Sequence, residues 1–362
     1  MKSCPAGPAI RSSRPRHAIA RGRARAGPLA HIVVSKYDDH LPLYRQGEIY
    51  AREGVILETS TLSGWVGAKA ATLKPLVGAL VADVVASDTL LVDDTPVPVF
   101  APGTGKTKTG RLRSMFAMNG LSPGGGRRRR CSVTRKTEGD HPRAHLKEFG
   151  GVIHADGYAG FNELLAGNRV TEAGCWAHVR RKFFDVHAAM ASPIAKEALD
   201  RIGHLYGIEE TIKGLPPEHR RRERQQPSKP VVQALAAWAD ETTRKLSRKS
   251  ELAAAFRYMR GRRTALGRCF DDGRLALDNN PAERAQRCVA IGRKNYLFAG
   301  SDAGGRRAAA LYSLIESANL NRLDPQHYLA DVLTRIADHP ARAIAQLLPW
   351  NWQPVSFERA AA

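Results

Sequence analysis

Cysteine pairs of the kind that build disulfide frameworks or zinc knuckles are missing from this chain. Five cysteines are scattered over 362 residues, and no two of them are spaced as CxxC. An odd and dispersed set supports neither a disulfide framework nor a four-ligand zinc site. Cys175 and His178 have the spacing of metal ligands, but no second pair along the chain completes a site. The spacing therefore predicts no zinc centre.

Long apolar segments are also absent. No run reaches the roughly 18 apolar residues from which a membrane-spanning helix is read. The N-terminus carries charge without the apolar stretch of a secretory signal. Both absences predict a cytosolic protein.

Acidic residues are few for the number of basic ones. Asp and Glu total 35 against 56 Lys and Arg, which leaves a net charge of +21. An excess of this size favours a polyanionic partner, most simply nucleic acid. A basic membrane-surface protein is the competing interpretation, but no strongly amphipathic basic helix stands out.

Composition and periodicity divide the chain. Residues 1–28 are rich in Arg, Pro, Gly and Ala and are predicted to be a disordered basic tail. The pattern is helical from 29 to 80, where two short helices around Gly54 are compatible with a helix-turn-helix or with an ordinary helical hairpin. Helical spacing returns between 186 and 275, interrupted at 215–230 by a stretch typical of a solvated linker, and again near 305–320.

The stretch APGTGKTKTG, residues 101–110, resembles the end of a phosphate-binding loop. Position 100 should then be glycine but is Phe100, and no apolar helix follows. A turn between two strands explains the stretch better, although a nucleotide-dependent ATPase stays open as an alternative.

Three acids occupy positions suited to metal binding. Asp93 lies in a β-rich run, Asp156 at the end of a later strand, and Glu283 near the start of a helix. Converging carboxylates on rigid elements suit two magnesium ions. Each acid also has an ordinary explanation, since Glu283 can form a capping box with Asn280. The pattern alone leaves both interpretations open.

Several long blocks resemble the bacterial transposases of the insertion sequence 66 family. The resemblance covers residues 29–112 and 141–354, and it is carried by the motifs DDTPVPVFAPGTGKTKTGRL, HADGYAGFNELL, GCWAHVRRKFFDVH, DNNPAERAQRCVAIGRKNYLFAG and LDPQHYLADVLTRIADHPARAIAQLLPWNW. The larger members of that family carry an upstream helical and cysteine-rich DNA-binding region, for which this sequence offers no counterpart.

The resemblance implies an α/β fold: a ribonuclease-H-like mixed sheet flanked by helices, with an all-helical insertion and a helical N-terminal segment. It implies a DDE triad of Asp93, Asp156 and Glu283 that binds two Mg²⁺ ions, for which Mn²⁺ can substitute. Asp94 occupies the neighbouring position, which is usually acidic. The expected divisions are a tail (1–28), a helical segment (29–82), the first part of the core (83–185), the insertion (186–275), the rest of the core (276–320) and a C-terminal element (321–362).

The function implied is metal-dependent DNA cleavage and strand transfer at the ends of an insertion sequence, in the bacterial cytoplasm at the nucleoid. The partners would be terminal inverted repeats, target DNA and further copies of the chain. Four basic side chains are predicted to contact phosphates, with a solvated basic face as the alternative: Arg284, Arg287, Arg293 and Lys294. The aromatic residues Trp176, Phe183 and Phe184 are expected in the core. A catalytically inactive DNA-binding remnant is the main rival function.

Residues 113–140 interrupt the resemblance. Strands two and three of the core belong there, yet GGGRRRR and scattered apolar residues show no period-two alternation. We therefore expect this stretch to be disordered and the sheet beside Asp93 to be damaged. Two compensating frameshifts in a GC-rich gene would explain the composition and would leave an inactive copy.

Overall fold

A computed structural model describes residues 25–121, 127–136, 146–157, 159–167 and 169–354. Residues 1–24 of the predicted tail lie outside this set. The described chain begins with four helices, as the helical pattern from 29 to 80 predicts: α1 (Ala26–Tyr37), α2 (Leu43–Arg52), α3 (Thr59–Thr72) and α4 (Lys74–Val85). The turn after α2 uses Gly54 at a φ of 81°, a conformation that glycine adopts without steric cost.

A five-stranded mixed sheet follows. Its strands are β1 (Thr89–Ala101), β2 (Lys106–Leu121), β3 (Arg127–Lys136), β4 (Gly151–His154) and β5 (Val170–Ala173). The order across the sheet is β3-β2-β1-β4-β5. The first three strands form an antiparallel meander, whereas β4 is parallel to both β1 and β5. β1 is thus the central strand, with β2 on one side and β4 on the other.

The expectation that residues 113–140 form no strands is wrong for 113–121 and 127–136. These segments continue β2 and form β3, and Ser114 on β2 pairs directly with Asp93. β2 shows no apolar alternation because both of its faces are buried between Leu112 and Ala117. β3 is an edge strand without Pro or Gly, and any non-proline residue can make its backbone bonds. The sheet beside Asp93 is thus complete, while the frameshifts themselves stay a prediction about the gene.

The phosphate-loop alternative at 101–110 is wrong. A tight turn joins β1 to β2 there, and Gly103 and Gly105 take φ values of 81° and 66°. Lys106 and Thr107 begin a strand rather than a helix. No helix N-terminus is therefore available to hold a phosphate.

After β4 come a 3-10 turn (Ala159–Phe161) and the short helix α5 (Asn162–Leu165). After β5, a series of helices extends from Trp176 to Asp271, so it begins ten residues before the insertion predicted at 186–275. It consists of α6 (Trp176–Met190), α7 (Pro193–Thr211), α8 (Pro217–Glu223), a π-helical turn (Arg224–Ser228), α9 (Lys229–Arg244), α10 (Glu251–Gly261) and α11 (Arg263–Asp271). These helices enclose a second hydrophobic core in which Trp176 and Phe183 are buried as expected. Phe184 is half exposed, which corrects its assignment to the core.

The solvated linker predicted at 215–230 is also wrong. Its centre is helical, and the Arg224 side chain is fully buried. The Arg224 guanidinium contacts Glu209 at 2.6 Å and donates to the backbone carbonyls of Cys269 and Leu275. A buried arginine is tolerated where such hydrogen bonds replace water, and composition alone does not reveal them.

The chain ends in α12 (Asn280–Ala285), α13 (Arg287–Tyr296), α14 (Asp302–Leu320), α15 (Pro325–Arg335) and a 3-10 segment (Ala341–Leu347). The helix expected near 305–320 is confirmed with an earlier start, because Ser301 caps it by accepting from the Gly304 amide. None of the helices in the described residues is long and apolar enough to cross a membrane.

Candidate active site

Strand β1 carries Asp93 beyond the point where its parallel neighbour ends. β4 pairs with β1 only as far as Leu91, so the Val92 carbonyl has no strand partner on that edge. The buried Asn279 Nδ2 donates to the carbonyl of Val92 at 2.8 Å, and Gln286 Nε2 donates to that of Asp93 at 2.7 Å. Asn279 and Gln286 lie immediately before and after α12, so their hydrogen bonds hold both ends of the helix against β1. Buried carbonyls need such donors.

The ends of α12 decide between the two interpretations of Glu283. The helix begins at Asn280, and the residue before it, Asn279, makes no side-chain cap. The amide of Asn280 donates to Asp278 Oδ1 at 3.1 Å. A capping box would require Glu283 to accept that amide. The capping interpretation is therefore not what the structure contains, and the Glu283 carboxylate lies in the cleft beside Asp93.

The pKa of the Asp93 carboxyl depends on the other two acids. Burial raises the pKa of its carboxyl, and the neighbouring carboxylates of Glu283 and Asp156 raise the same pKa further. The backbone amide of Asp94 and the side chain of His178 act in the opposite direction. Asp156 and Glu283 are thus each within electrostatic reach of Asp93.

Asp156 comes two residues after β4, where β4 and β5 end and β1 continues past them. Its carbonyl accepts from the Tyr258 hydroxyl at 2.9 Å, and the carbonyl of Gly157 accepts from Arg262 Nη2 at 3.2 Å. Gly157 has a φ of 77°, and a Cβ there would overlap the Arg262 guanidinium. The helical insertion therefore holds the turn that carries Asp156.

Asp94 points to the opposite face of the sheet, as alternation along a strand requires. Its carboxylate contacts Arg111 Nε at 3.0 Å and Arg113 Nη2 at 3.8 Å, and its side chain is only 4% exposed. The Arg113 side chain is fully buried beside it. Asp94 consequently stabilises the β1–β2 pair and lies outside the acid cluster.

Two residues of α6 join the site, although the sequence did not identify them as such. His178 Nδ1 lies 3.6 Å from Glu283 Oε1, and Arg181 Nη2 lies 3.6 Å from Glu283 Oε2. They are one helical turn apart in GCWAHVRRKFF, so both side chains lie on the same face of α6. This i, i+3 spacing was the available signal.

The donor atoms suit a cation. Within the described chain, the buried atoms Glu283 Oε1 and His178 Nδ1 have no hydrogen-bond partner. Cys175 and His178, which have the spacing of metal ligands in the sequence, are joined by Glu283, and each offers one ligand atom within 4.8 Å of the others. Burial raises the pKa of the Cys175 thiol to about 11, and its sulfur accepts from the Asn279 amide at 3.2 Å. The carboxylate oxygens are hard ligands of the kind that magnesium prefers.

Two of the three acids open into a cleft of 560 Å³, which Asp156 does not line. Asp93 and Glu283 line it together with the exposed Arg284 and Arg287. The other two predicted phosphate contacts are not brought together with these: Arg293 donates to the carbonyl of Pro96 and lines a different cavity, and the exposed Lys294 does not line the cleft.

Comparison with known proteins adds the family. Residues 21–307 match the model described as "Transposase IS66 family", and residues 313–350 match that of the "IS66 C-terminal element". The uncharacterized protein y4hP of Sinorhizobium fredii is 38% identical over 361 residues, covering 94% of this chain and 65% of the relative. Two uncharacterized proteins of the same organism, y4qI and y4jD, are 37% and 36% identical; 95% and 94% of this chain align with 66% and 68% of theirs. The chain spans about two thirds of the length of these relatives.

Proposed function

The chain belongs to the IS66 family of transposases, and from this we propose that it cleaves DNA at the ends of a bacterial insertion sequence and joins the freed 3′-hydroxyl to target DNA. The observation that carries the proposal is that Asp93 shares a cleft with Glu283 and lies within electrostatic reach of both Glu283 and Asp156. The antiparallel meander of β1, β2 and β3 supports a ribonuclease-H-like core, which needs its first three strands in that arrangement.

Asp93, Asp156 and Glu283 are the residues that would hold two Mg²⁺ ions, with Mn²⁺ as a substitute. Bound cations of this kind lower the pKa of the attacking water and stabilise the leaving oxygen. Gln286 and Asn279 fix the helix of Glu283 against the strand of Asp93, so that the carboxylates are held in position before substrate arrives.

Arg284 and Arg287 are the residues best placed to contact DNA phosphates, since both are exposed and line the same cleft as the acids. Arg181 extends this basic rim on the side of α6. Phosphate contacts orient the duplex without reading its sequence, and this role suits a cleft in which the scissile phosphate must face the acids. The chain would act on inverted repeats and target DNA as a homo-oligomer at the nucleoid.

The test is nicking of a duplex that carries the terminal sequence of the element encoding this chain, with and without Mg²⁺. Glu283→Gln should abolish nicking while DNA affinity without metal is retained, because the amide keeps the shape but loses the charge that attracts the cation. Asp185→Asn, an exposed acid on α6, is the matched control and should nick normally. Wild-type nicking by Glu283→Gln would overturn the proposal.

An inactive copy is the second candidate, and the composition of residues 113–140 favours it, although the family match at 21–307 spans this stretch. Translating the nucleotides of this stretch in the other two frames tests it. An alternating apolar strand pair in either frame, together with no nicking by the wild-type protein, would establish the inactive copy.

A further inference from the structure

A second cavity lies beside the acid cleft, along the same strand. It has a volume of 380 Å³, within the range of about 300–1,000 Å³ typical of small-molecule sites. Val97 and Val99 line it from β1, on the strand face that carries Asp93 and Thr95 in the cleft. Helix α13 also runs between the two, with Arg287 in the cleft and Tyr296 in the cavity. Asp93 and Val97 are four strand residues apart, and Arg287 and Tyr296 are nine helix residues apart. Either count places the cavity about 13 Å from the cleft.

Of the cationic side chains that line the cavity, Arg111 is paired with Asp94, whereas Lys36 and Arg307 have no acid beside them in the lining. None of the described residues that line it is Asp or Glu. Lys36 Nζ lies 4.3 Å from the centre of the Tyr296 ring, and the Arg307 guanidinium lies over the backbone of Gly67, where a Cβ would come within 2.6 Å of Nη1. Neither cation has a carboxylate partner within the described part of the chain. Two half-buried cations without a counterion favour an anion in the space between them.

Three tyrosines form part of the wall, and of these Tyr37 and Tyr312 are buried. Tyr296 and Tyr312 share a hydrogen bond of 2.7 Å between their hydroxyls, and Tyr37 packs edge-on against Tyr312. Rings beside cations are the combination that binds a nucleotide, since bases stack on aromatic faces and phosphates bind the cations. The Arg-rich segment 1–24 does not suit this cavity, because it carries charge of the same sign.

The mouth of the cavity exposes a large apolar side chain. Leu297 is 68% exposed and has a φ of 35°, an unfavourable conformation for leucine. Phe298 beside it is 45% exposed and stacks on Phe100. Proteins that unstack DNA insert apolar wedges of this kind between bases. Leu297 is placed to act as such a wedge at the cavity, about 13 Å along β1 from Asp93.

We propose that this cavity takes one unstacked nucleotide of the DNA end held in the acid cleft, with Leu297 occupying the space that the base leaves. B-DNA rises about 3.4 Å per nucleotide, so the cavity would receive a nucleotide within about four positions of the cleaved phosphate. The inference rests on the proposed function, because the DNA must lie in the cleft.

The experiment uses terminal duplexes that carry 2-aminopurine at successive positions around the cleavage site, with the full chain and without Mg²⁺. Fluorescence should rise at one position within about four nucleotides of the cleavage site, and Arg307→Gln and Leu297→Ser should each reduce this rise by roughly tenfold or more. Arg306→Gln and Ile291→Ser are controls on the same two helices outside the cavity and should behave as wild type.

Two results would overturn the inference. One is nicking by the wild-type protein without any fluorescence rise, which leaves the proposed function intact. The other is saturable binding of free deoxynucleoside monophosphates that Arg307→Gln abolishes, with no unstacking of the duplex, since the cavity would then serve a free nucleotide. A fluorescence rise without nicking would support the cavity while contradicting the proposed function.

Discussion

Replacing Gln286 with methionine tests how α12 is held against β1. The Gln286 amide donates to the Asp93 carbonyl at 2.7 Å and to Ser114 Oγ at 3.0 Å, and the residue is 5% exposed. Methionine has similar length but no donor, so Gln286→Met leaves both acceptors buried without this partner while largely preserving the packing. The variant loses two hydrogen bonds and leaves the buried Asp93 carbonyl without the Gln286 donor. We expect the free energy of unfolding to fall by about 2–4 kcal/mol.

The same change should slow catalysis, because Glu283 lies on the helix that Gln286 secures. A displacement of about 1 Å at a reacting centre costs on the order of 100-fold in rate. We therefore expect nicking to fall by roughly 10- to 100-fold and the Mg²⁺ concentration for half-maximal rate to rise.

Urea unfolding gives the stability, and nicking rates across a Mg²⁺ titration give the position of the acids. Gln233→Met, at an exposed glutamine of α9, is the matched control and should change neither quantity. A Gln286→Met protein with reduced stability but wild-type nicking and Mg²⁺ dependence would refute the positioning role. Wild-type stability would refute the energetic argument as well.

Neutralising Arg284 and Arg287 together should remove two phosphate contacts, so the slope of log affinity against log salt in a DNA-binding titration should fall by about 1.8. An unchanged slope would mean that both side chains belong to a solvated basic face. Arg224→Met should cost about 1–3 kcal/mol in urea unfolding, because the buried Cys269 carbonyl loses its donor while Glu209 keeps Arg220, whereas the exposed Arg221→Met should be near neutral. Burial raises the pKa of Glu316 to about 7 from 4.5, so its stabilising effect is full below pH 4.5 and is lost as pH rises through 7. Glu316→Gln should therefore gain stability over wild type across that range, by at most about 1.4 kcal/mol per pH unit, and parallel pH profiles would contradict this.

Tertiary contacts gave several residues roles that their local sequence contradicted. The RRRRCSVTRK segment has no apolar pattern, yet it pairs with β2 because a strand's backbone bonds depend on its neighbour rather than on its own side chains. The 215–230 segment looks like a linker until Glu209 and two distant carbonyls enclose Arg224. His178 and Arg181 acquire a partner only when α6 packs beside α12.

The sequence by itself determined the helical insertion, the hairpin at 101–106 and the three acids to test, because periodicity, glycine turns and motif blocks are local signals. Strand alternation, which has a fixed period, likewise places Asp94 on the face away from Asp93, where it pairs with Arg111. Only the tertiary structure decided that Glu283 lies beside Asp93 instead of capping its own helix, and that Arg293 leaves the cleft for a second cavity. Those outcomes depend on which distant backbone groups remain to be satisfied once the sheet has formed, and no local window of sequence contains that information.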